Sequence, residues 1–298
     1  MKKALIIFNP VAGANKIRNI PKIIQDSLNQ NDYSYEWFET MPVASQPLDQ
    51  FINQKFDKII VSGGDGTVRE VVTFMVQNNI KTPLGIIAQG TANLVATSLN
   101  IPVFSIKKAI DFALHKNGIP LDVMVINEKH IGLIAAGQGY DSVFIQGATR
   151  SLKRKYGFIA YIISFLKTFF LYPSKNYKIV IDGKRYYATG KLAAVFNLLS
   201  LGNTKIGNHI SPQDGLLNIA VFNPKSLYDI LKISISFLLR IKRIKKPKMQ
   251  IFEGKNVSIN MKKGKWIQID GETFKGKNLQ IKVKPQAINI IYEKQFNN

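Results

Sequence analysis

The sequence contains no cysteine, which excludes disulfide bonds and thiolate zinc sites. It also lacks any run of about 18 uninterrupted apolar residues, the length that a membrane-spanning helix requires. The nearest approach, residues 157–172, is interrupted by Lys167. Internal repeats and low-complexity linkers are absent as well. A cytosolic or cytosol-facing protein without a spanning helix fits these absences best.

Acidic residues are scarce too, because 19 aspartates and glutamates oppose 41 lysines and arginines. The formal net charge of +22 draws the protein toward nucleic acid, acidic lipid surfaces or phosphorylated substrates. A basic proteome gives its housekeeping proteins the same excess without any such partner. The first ten residues, MKKALIIFNP, begin as a signal peptide does. The apolar run is too short, however, and Asn9-Pro10 ends it without a small-residue cleavage site, so we expect a first β-strand there.

The 298 residues suffice for one large or two ordinary domains. Roughly the first 120 residues alternate strand and helix patterns, which predicts βαβ units and a parallel sheet. From Leu121 onward strand patterns dominate, and Asp182-Gly183 is typical of a hairpin turn. We therefore predict an α/β nucleotide-binding domain over residues 1–122 and a β-rich acceptor domain over residues 123–285. Residues 286–298 are expected to pack back on the first domain.

A glycine-rich turn ends one predicted strand with the residues Gly63, Gly64, Asp65, Gly66 and Thr67. Consecutive backbone N–H groups in such a turn, together with the positive end of the next helix, can bind phosphates. The pattern is neither a Walker A loop nor GxGxxG. A carboxylate would repel phosphates, so Asp65 is expected to orient Mg²⁺ or a hydroxyl nucleophile, and no role in stability is expected for it. The alternative is a plain Asp-Gly turn with a capping threonine.

Two more small-residue loops follow predicted strands. The first strand ends in Asn9, Pro10, Val11, Ala12 and Gly13, and a later one is followed by Gly90, Thr91 and Asn93. Each loop alone is a weak signal, since Asn-Pro starts many turns and Thr91 can simply cap a helix. Ligands bind beyond the carboxyl ends of parallel strands, and all three loops are predicted at that edge. Together they predict a phosphate-binding site.

The motifs NPVAG, SGGDGT, PLGIIAQGTAN, DGLLNIAVF and IDGE follow one another in this order. In this order they resemble the diacylglycerol kinase catalytic-domain family. The resemblance covers essentially the whole chain and is strongest to its soluble bacterial lipid kinases, which are related to sphingosine and ceramide kinases. It implies an ATP- and Mg²⁺-dependent kinase that phosphorylates a lipid hydroxyl, most readily converting diacylglycerol to phosphatidic acid or acting on a related lipid alcohol. It also implies a Rossmann-like N-terminal domain and a β-sandwich C-terminal domain, with the active site in the interdomain cleft.

The resemblance further implies roles for individual residues. Glu272 would be the proton acceptor, with Asp270 beside it, and Asp65 would join them in catalysis. A structural Mg²⁺ segment would use Asp214 as a ligand, with Ser211 and the carbonyl of Leu216 contributing nearby. Nucleotide contacts would come from Asn9, Pro10, Val11, Ala12, Gly13, Thr40, Gly63, Gly64, Asp65, Gly66, Thr67 and Thr91.

Two positions depart from the family pattern. Relatives often carry an acid after the asparagine of the third motif, where this chain has Leu94. The second motif continues with Arg69-Glu70, where an Asn-Glu pair is common. The lost acid alters the expected surroundings of the acceptor and leaves the exact lipid undetermined.

Residues 151–175 and 226–248 combine apolar runs with lysines and arginines, as interfacial elements drawn to anionic lipid do. The alternative is that both segments pack on the sheet with solvated lysines. We expect a cytoplasmic protein that associates peripherally with an anionic membrane surface, takes a lipid substrate and binds no nucleic acid; a homodimer is left open. Two other functions remain as alternatives, an NAD kinase-like phosphotransferase and a basic nucleic-acid-binding protein.

Overall fold

A computed structural model describes residues 1–13, 19–40, 48–140, 169, 172–198, 212–226, 228–229, 249–261 and 266–293. The chain forms two compact units, Met1–Val123 with Pro285–Asn298 (unit 1) and Met124–Lys284 (unit 2). The predicted boundary after residue 122 differs from this division by one residue. Ser211 and almost all of the two basic apolar segments lie outside the described residues. No helix among the described residues has the length and apolar character needed to cross a membrane.

Unit 1 is built on a parallel sheet. Its strands are β1 (Lys2–Phe8), β2 (Tyr33–Glu39), β3 (Lys58–Gly63), β4 (Leu84–Ala88) and the last part of β16 (Asn278–Ile291). They lie in the order β2-β1-β3-β4-β16. The central strands β3 and β4 are buried along their whole length, as expected for a sheet covered on both faces.

Four α-helices of unit 1 are described, α1 (Ile20–Gln30), α2 (Asp65–Gln77), α3 (Leu94–Ser98) and α4 (Ile106–His115). α1 and α4 bury apolar residues at helical spacing in one core cluster with β1, β3 and β4, namely Ile20, Ile24, Leu28, Ile106 and Ile110. The sequence predicts a helix over residues 14–30, of which 14–18 lie outside the described residues. Asn19 has a left-handed backbone, and α1 begins at Ile20. The helix predicted over residues 45–54 is described only as a 3-10 turn, Leu48–Phe51.

Unit 2 contains two sheets. The first comprises the last part of β5 (Gly118–Ile126), β6 (His130–Gly132), β8 (Lys175–Ile181), β9 (Lys184–Gly190), β13 (Asn256–Met261) and the first part of β16. The second has the order β12-β11-β10-β7-β14-β15 and antiparallel pairing, with β7 (Ala135–Gly139), β10 (Leu192–Phe196), β11 (Leu217–Phe222), β12 (Met249–Gly254), β14 (Trp266–Ile269) and β15 (Glu272–Lys275).

One hydrophobic core joins these two sheets. It includes Tyr177 and Ile179 of β8, Val195 of β10, Ile219 of β11 and Ile259 of β13. A core formed by alternating residues of two sheets that face each other is the arrangement of a β-sandwich. A parallel α/β unit and an antiparallel β unit together confirm the predicted fold class.

Two Asp-Gly turns close hairpins in unit 2. The predicted turn at Asp182-Gly183 joins β8 and β9, and its residues have φ values of +47° and +84°. Asp270-Gly271 joins β14 and β15 in the same way, with φ values of +47° and +87°. Positive φ at both central residues is the requirement of a type I′ turn, which explains the Asp-Gly pairs.

Candidate active site

The predicted nucleotide loops all lie at the carboxyl edge of the parallel sheet in unit 1. Asn9 follows β1, Thr40 follows β2, Gly63 ends β3 and Thr91 follows β4. The side-chain amide of Asn9 donates to the Thr67 hydroxyl at 2.7 Å. The backbone N–H of Asn9 donates to the Ser62 carbonyl at 2.9 Å. The first and second motifs, far apart in sequence, are therefore in direct contact.

The glycines of this edge allow the loops to approach each other closely. A Cβ on Gly13, whose φ is +63°, would lie 2.5 Å from the Gln89 carbonyl oxygen. A Cβ on Gly90 would lie 2.9 Å from the Cα of Gly64. A Cβ on Gly63 would lie 2.6 Å from the Cβ of Thr67. Real Cβ atoms do not approach other heavy atoms this closely. The three glycines are therefore needed for the packing of the loops against one another, in addition to any role in ligand binding.

The second motif forms the amino-terminal end of α2. Gly64 is the N-cap residue in an extended conformation, and no side chain caps the helix there. Asp65 and Thr67 belong to its first turn. The backbone N–H groups of a first turn have no partner inside the helix, and the helix dipole adds partial positive charge. This end of α2 has the chemistry of an anion site.

Asp65 has a structural role that the sequence does not predict. Its two carboxylate oxygens accept the backbone N–H groups of Leu94 at 3.1 Å and Val95 at 3.0 Å. These are the first two residues of α3, whose own N-cap, Asn93, is left-handed and makes no side-chain cap. Asp65 therefore caps α3 from the neighbouring helix. Leu94 itself donates one of these bonds, so an acid at position 94 would place a second carboxylate in the same turn.

The site also contains a buried polar pair that the sequence analysis does not name, Ser62 and Gln89. Gln89 is only 7% exposed, and its side-chain amide donates to the Ser62 hydroxyl. Among the described residues, the Gln89 side-chain oxygen has no hydrogen-bond partner. The sequence signal was a polar residue at the end of an otherwise apolar strand, directly before Gly90.

Asp270 and Glu272, the two candidate bases, belong to unit 2 and to the β14–β15 hairpin. The Asp270 carboxylate accepts three backbone N–H groups, from Leu133 at 2.7 Å, Ile134 at 2.8 Å and Ala135 at 3.0 Å. Glu272 is the exposed first residue of β15. Asp270 thus fixes the segment that enters β7, whereas the side chain of Glu272 reaches solvent.

Asp182 illustrates the same use of a hairpin carboxylate. It accepts backbone N–H groups from Lys255 and Asn256 at 2.8–3.2 Å. These donors hold the pKa of the Asp182 carboxyl below its ordinary value, since they favour the ionised form. A carboxylate in an Asp-Gly hairpin of this unit can therefore serve structure alone.

The predicted metal segment forms a turn before β11. Leu216 N–H donates to the Asp214 carboxylate at 2.9 Å, and Gly215 has a φ of +68°. Asp214 is exposed, and Ser211 lies outside the described residues. The described part of the chain contains no cluster of three or more histidines and acids that could hold a metal ion. One carboxylate with nearby carbonyls and waters still fits Mg²⁺, which seldom uses an all-protein cage.

Comparison with known proteins gives consistent results along the whole chain. Residues 3–126 match the family model described as the diacylglycerol kinase catalytic domain. Residues 134–292 match the model of the YegS C-terminal NAD kinase beta sandwich-like domain.

The diacylglycerol kinase of Bacillus subtilis (strain 168) is 27% identical over 278 residues, which cover 91% of this chain and 90% of that protein. A provisionally named lipid kinase of Staphylococcus aureus (strain bovine RF122) is 30% identical over 239 residues, covering 79% and 77% of the two chains. A crystal structure of a diacylglycerol kinase from Bacillus anthracis (strain Sterne) has a TM-score of 0.74 at 24% identity, covering 98% of this chain and 97% of that one. That likeness shows the fold. Taken with the two family models, these relatives establish that the chain is a kinase and belongs to the diacylglycerol kinase family of lipid kinases.

Proposed function

We propose that this kinase transfers the γ-phosphoryl group of ATP to a hydroxyl group of diacylglycerol, or of a related lipid alcohol, in a Mg²⁺-dependent reaction. The observation that carries the proposal is the loop cluster of unit 1. There the contact between Asn9 and Thr67 joins the first two motifs beside the amino-terminal end of α2. Phosphoryl transfer depends mainly on holding phosphates and neutralising their charge, which is the chemistry such an edge offers.

In this proposal the ATP phosphates bind the backbone N–H groups of the first turn of α2, beside the residue 9–13 loop. Gly13, Gly64 and Gly90 keep side-chain atoms away from that edge. A structural Mg²⁺ ion would be held through oxygen atoms of Asp214, the Leu216 carbonyl and Ser211. The Mg²⁺ that accompanies ATP would neutralise phosphate charge, and Asp65 is the candidate to orient it.

Glu272 is the proposed proton acceptor for the lipid hydroxyl. It is exposed at the start of β15, whereas Asp270 already accepts three backbone N–H groups. A base must reach the proton that it abstracts, and occupied lone pairs make Asp270 the weaker candidate. The proposed interdomain cleft would bring Glu272 to the phosphate loops of unit 1.

NAD is the second candidate acceptor, because the model matching residues 134–292 is described as NAD kinase-like. A nicotinamide dinucleotide needs polar groups for its adenine and ribose rings. The carboxyl edge of unit 1 instead exposes apolar Val11 and Leu94, the latter where relatives often have an acid. This apolar character favours a lipid acceptor. The protein would then work at the cytoplasmic face of an anionic membrane, to which a net charge of +22 draws it.

The test is a phosphoryl-transfer assay with γ-labelled ATP and mixed micelles. Diacylglycerol, monoacylglycerol, ceramide and sphingosine are offered separately, NAD is offered without lipid, and every reaction is repeated with EDTA. The expected result is label in phosphatidic acid that disappears without Mg²⁺. Gly13→Ala should abolish labelling, since a Cβ there clashes with Gln89. Gly183→Ala is the matched control, because Gly183 also has positive φ but has open space around it.

Each outcome decides a separate part of the proposal. Label in NADP would replace the lipid acceptor by NAD. Label in no product would overturn the kinase assignment of the loops, provided that Gly183→Ala and the wild type are both folded. In the Mg²⁺ titration, an Asp214→Ala variant with an unchanged curve and melting temperature would remove Asp214 from the metal site.

A further inference from the structure

Phe104 is the most exposed large apolar side chain among the described residues. It is 99% exposed and lies in the connection between α3 and α4, directly before Ser105, the N-cap of α4. The backbone around it is well anchored, because the Ser105 hydroxyl accepts the Lys108 N–H at 3.3 Å. A phenylalanine ring held in water loses the free energy that its burial would give.

The direction of α4 places Phe104 at the same edge of unit 1 as the phosphate loops. Near its carboxyl end, Ala113 packs against Gly85 in the first half of β4. The carbonyl of Lys116, just beyond that end, accepts the Lys58 ammonium at 2.5 Å, and Lys58 begins β3. α4 therefore runs antiparallel to the strands. Ten residues of helix span about 15 Å, so its amino-terminal end and Phe104 reach the carboxyl edge of the sheet.

Phe104 is not the only exposed apolar side chain at this edge. Val11, in the loop that follows β1, is 58% exposed, and Leu94, the first residue of α3, is 43% exposed. We call Val11, Leu94 and Phe104 the apolar rim. Single exposed apolar residues are ordinary on a protein surface, but three of the five exposed large apolar residues described in unit 1 lie at this edge. Unit 1 has two other exposed large apolar residues among those described, Met1 and Ile52.

Two lysines in the first turn of α4 lie close to Phe104 in the sequence. Lys107 and Lys108 are both exposed, and among the described residues neither side chain forms an ion pair with a carboxylate. The first turn of this helix contains no acidic residue. Cations at a helix amino terminus oppose the helix dipole, so these lysines do not serve the stability of α4. Their charge instead complements an anionic surface next to the exposed ring.

We propose that Phe104, Lys107 and Lys108 dock the carboxyl edge of unit 1 onto an anionic lipid bilayer. The Phe104 ring enters the boundary between headgroups and acyl chains, and the two lysines bind anionic headgroups. This inference deepens the proposed function, on which it rests for the lipid nature of the substrate. It assigns membrane contact to residues other than the basic segments 151–175 and 226–248. Docking by this edge would hold the phosphate loops near the bilayer that contains the acceptor.

The test measures binding to vesicles of phosphatidylcholine, with and without phosphatidylglycerol, using the full chain. Phe104→Ser should weaken binding to the anionic vesicles about tenfold, because insertion of the ring is lost. Lys107→Gln with Lys108→Gln should also weaken it about tenfold and reduce its dependence on phosphatidylglycerol. Tyr187→Ser is the matched control, since Tyr187 is an exposed aromatic residue on β9 of unit 2. It should bind as the wild type does.

A second measurement locates the side chain at position 104 directly. In a Phe104→Trp variant, the added fluorescence should shift to the blue on vesicles and be quenched by brominated lipid. Wild-type fluorescence, from Trp37 and Trp266, is subtracted. Unchanged vesicle binding by Phe104→Ser, or an unquenched Trp at position 104, would overturn the proposal. Loss of dimers in Phe104→Ser, with vesicle binding intact, would assign the rim to a second copy of this chain.

The vesicle-binding and fluorescence measurements do not depend on catalysis. Failure of docking and failure of the proposed function can therefore be distinguished. If the wild type phosphorylates no lipid, vesicle binding still tests docking. If it is active, Phe104→Ser should lose about tenfold in rate on diacylglycerol in vesicles. Its rate on a short-chain diacylglycerol dissolved as monomers should not change.

Discussion

At the scale of single residues, the carboxylates of this protein differ in what they already bind. Asp65, Asp182 and Asp270 each accept two or more backbone N–H groups. Asp214 accepts the backbone N–H of Leu216. A carboxylate whose lone pairs are taken by amides fixes the backbone, and its removal leaves those donors without a partner. Carboxylates of the candidate site therefore combine chemical and structural roles to different degrees.

Substitutions of Glu272 and Asp270 should separate the chemical role of a carboxylate from its structural role. Glu272→Gln retains shape and hydrogen bonding but removes basicity, so turnover should fall by about 10²–10⁴-fold while the melting temperature stays unchanged. Asp270→Asn cannot accept all three N–H groups and should lower the free energy of unfolding by about 1–3 kcal/mol. Turnover with diacylglycerol micelles and thermal unfolding measure the two effects.

The opposite pattern would reassign the base. If Glu272→Gln keeps its turnover and a still-folded Asp270→Asn loses it, Asp270 is the proton acceptor. If neither variant slows the reaction, the hairpin is structural and the proton passes to another group or to solvent. Thr273→Ser, a small change in the next residue of β15, is a suitable control for disturbance of the hairpin itself.

At the scale of secondary-structure elements, α3 depends on a neighbour for its cap. It has only five residues, and its N-cap side chain forms no capping bond. Isolated helices of this length do not form in water, so external bonds and packing must hold it. The Asp65 carboxylate supplies two such bonds from the first turn of α2. One residue thus couples the second nucleotide motif to the third.

Asp65→Ala should therefore have two effects. Turnover should be abolished if Asp65 has the proposed catalytic role, and the free energy of unfolding should fall by about 1 kcal/mol, as on loss of a helix cap. Amide hydrogen exchange at Leu94 and Val95 should quicken. Asp65→Asn, which keeps one acceptor oxygen, should restore part of the protection at these amides without restoring turnover.

Two results would contradict this account. Unchanged exchange at Leu94 and Val95 would show that the two bonds contribute nothing to α3. Near-normal turnover in Asp65→Ala would remove the loop from the active site. Asp49→Asn, a substitution of a carboxylate in the 3-10 turn of unit 1, is the control for a change of charge alone.

The elements that the sequence predicted well are those with strong periodicity. Buried β1, β3 and β4 and the amphipathic α1 and α4 follow from apolar spacing, and the hairpin at Asp182-Gly183 follows from turn chemistry. β12 carries little of this signal, because its residues are mostly half-buried or exposed and scarcely alternate. β16 continues through Pro285, a residue that seldom lies inside a strand. Sequence patterns report local burial and do not report which strand pairs with which.

The candidate site was predicted as a set of loops and not as a set of contacts. Glycine spacing indicated the three loops, because close approach restricts those positions to glycine. The bonds from Asn9 to Thr67 and from Asp65 to α3 join residues 58 and about 30 positions apart. Such contacts depend on the tertiary arrangement of parallel strands. The apolar rim was missed for the same reason, since exposure of Phe104 is decided by the packing of α4.

At the scale of the whole molecule, β16 belongs to both compact units. The boundary between the units falls after Lys284, inside this strand of 14 residues. Its first part pairs with β13 in unit 2, and Ile290 pairs with Leu84 of β4 in unit 1. Ile281 belongs to the core of unit 2, and Ile288 is fully buried in the part that belongs to unit 1. One strand therefore contributes to two separate cores.

Two substitutions in β16 should therefore loosen different units. Ile288→Ala should lower the stability of unit 1 by about 2–5 kcal/mol, and Ile281→Ala should do the same for unit 2, because each removes a buried side chain. Hydrogen exchange measured along the chain should quicken mainly within residues 1–123 for the first variant and within residues 124–284 for the second.

Lys284→Ala, an exposed change at the boundary, is the control and should alter neither pattern. If both isoleucine variants loosen the same residues, the units do not unfold separately. In that case β16 acts as a single cooperative element.

The position of β16 also affects how the protein is made. A ribosome releases the first 123 residues early, but the strand that covers the edge of β4 is translated after all of unit 2. During that interval β4 presents an unpaired, apolar edge, the kind of surface that mispairs and aggregates. The half of the protein that is synthesised first is thus completed last. Its biogenesis should depend on chaperones that shield nascent chains, and fast translation of residues 124–284 should favour soluble yield.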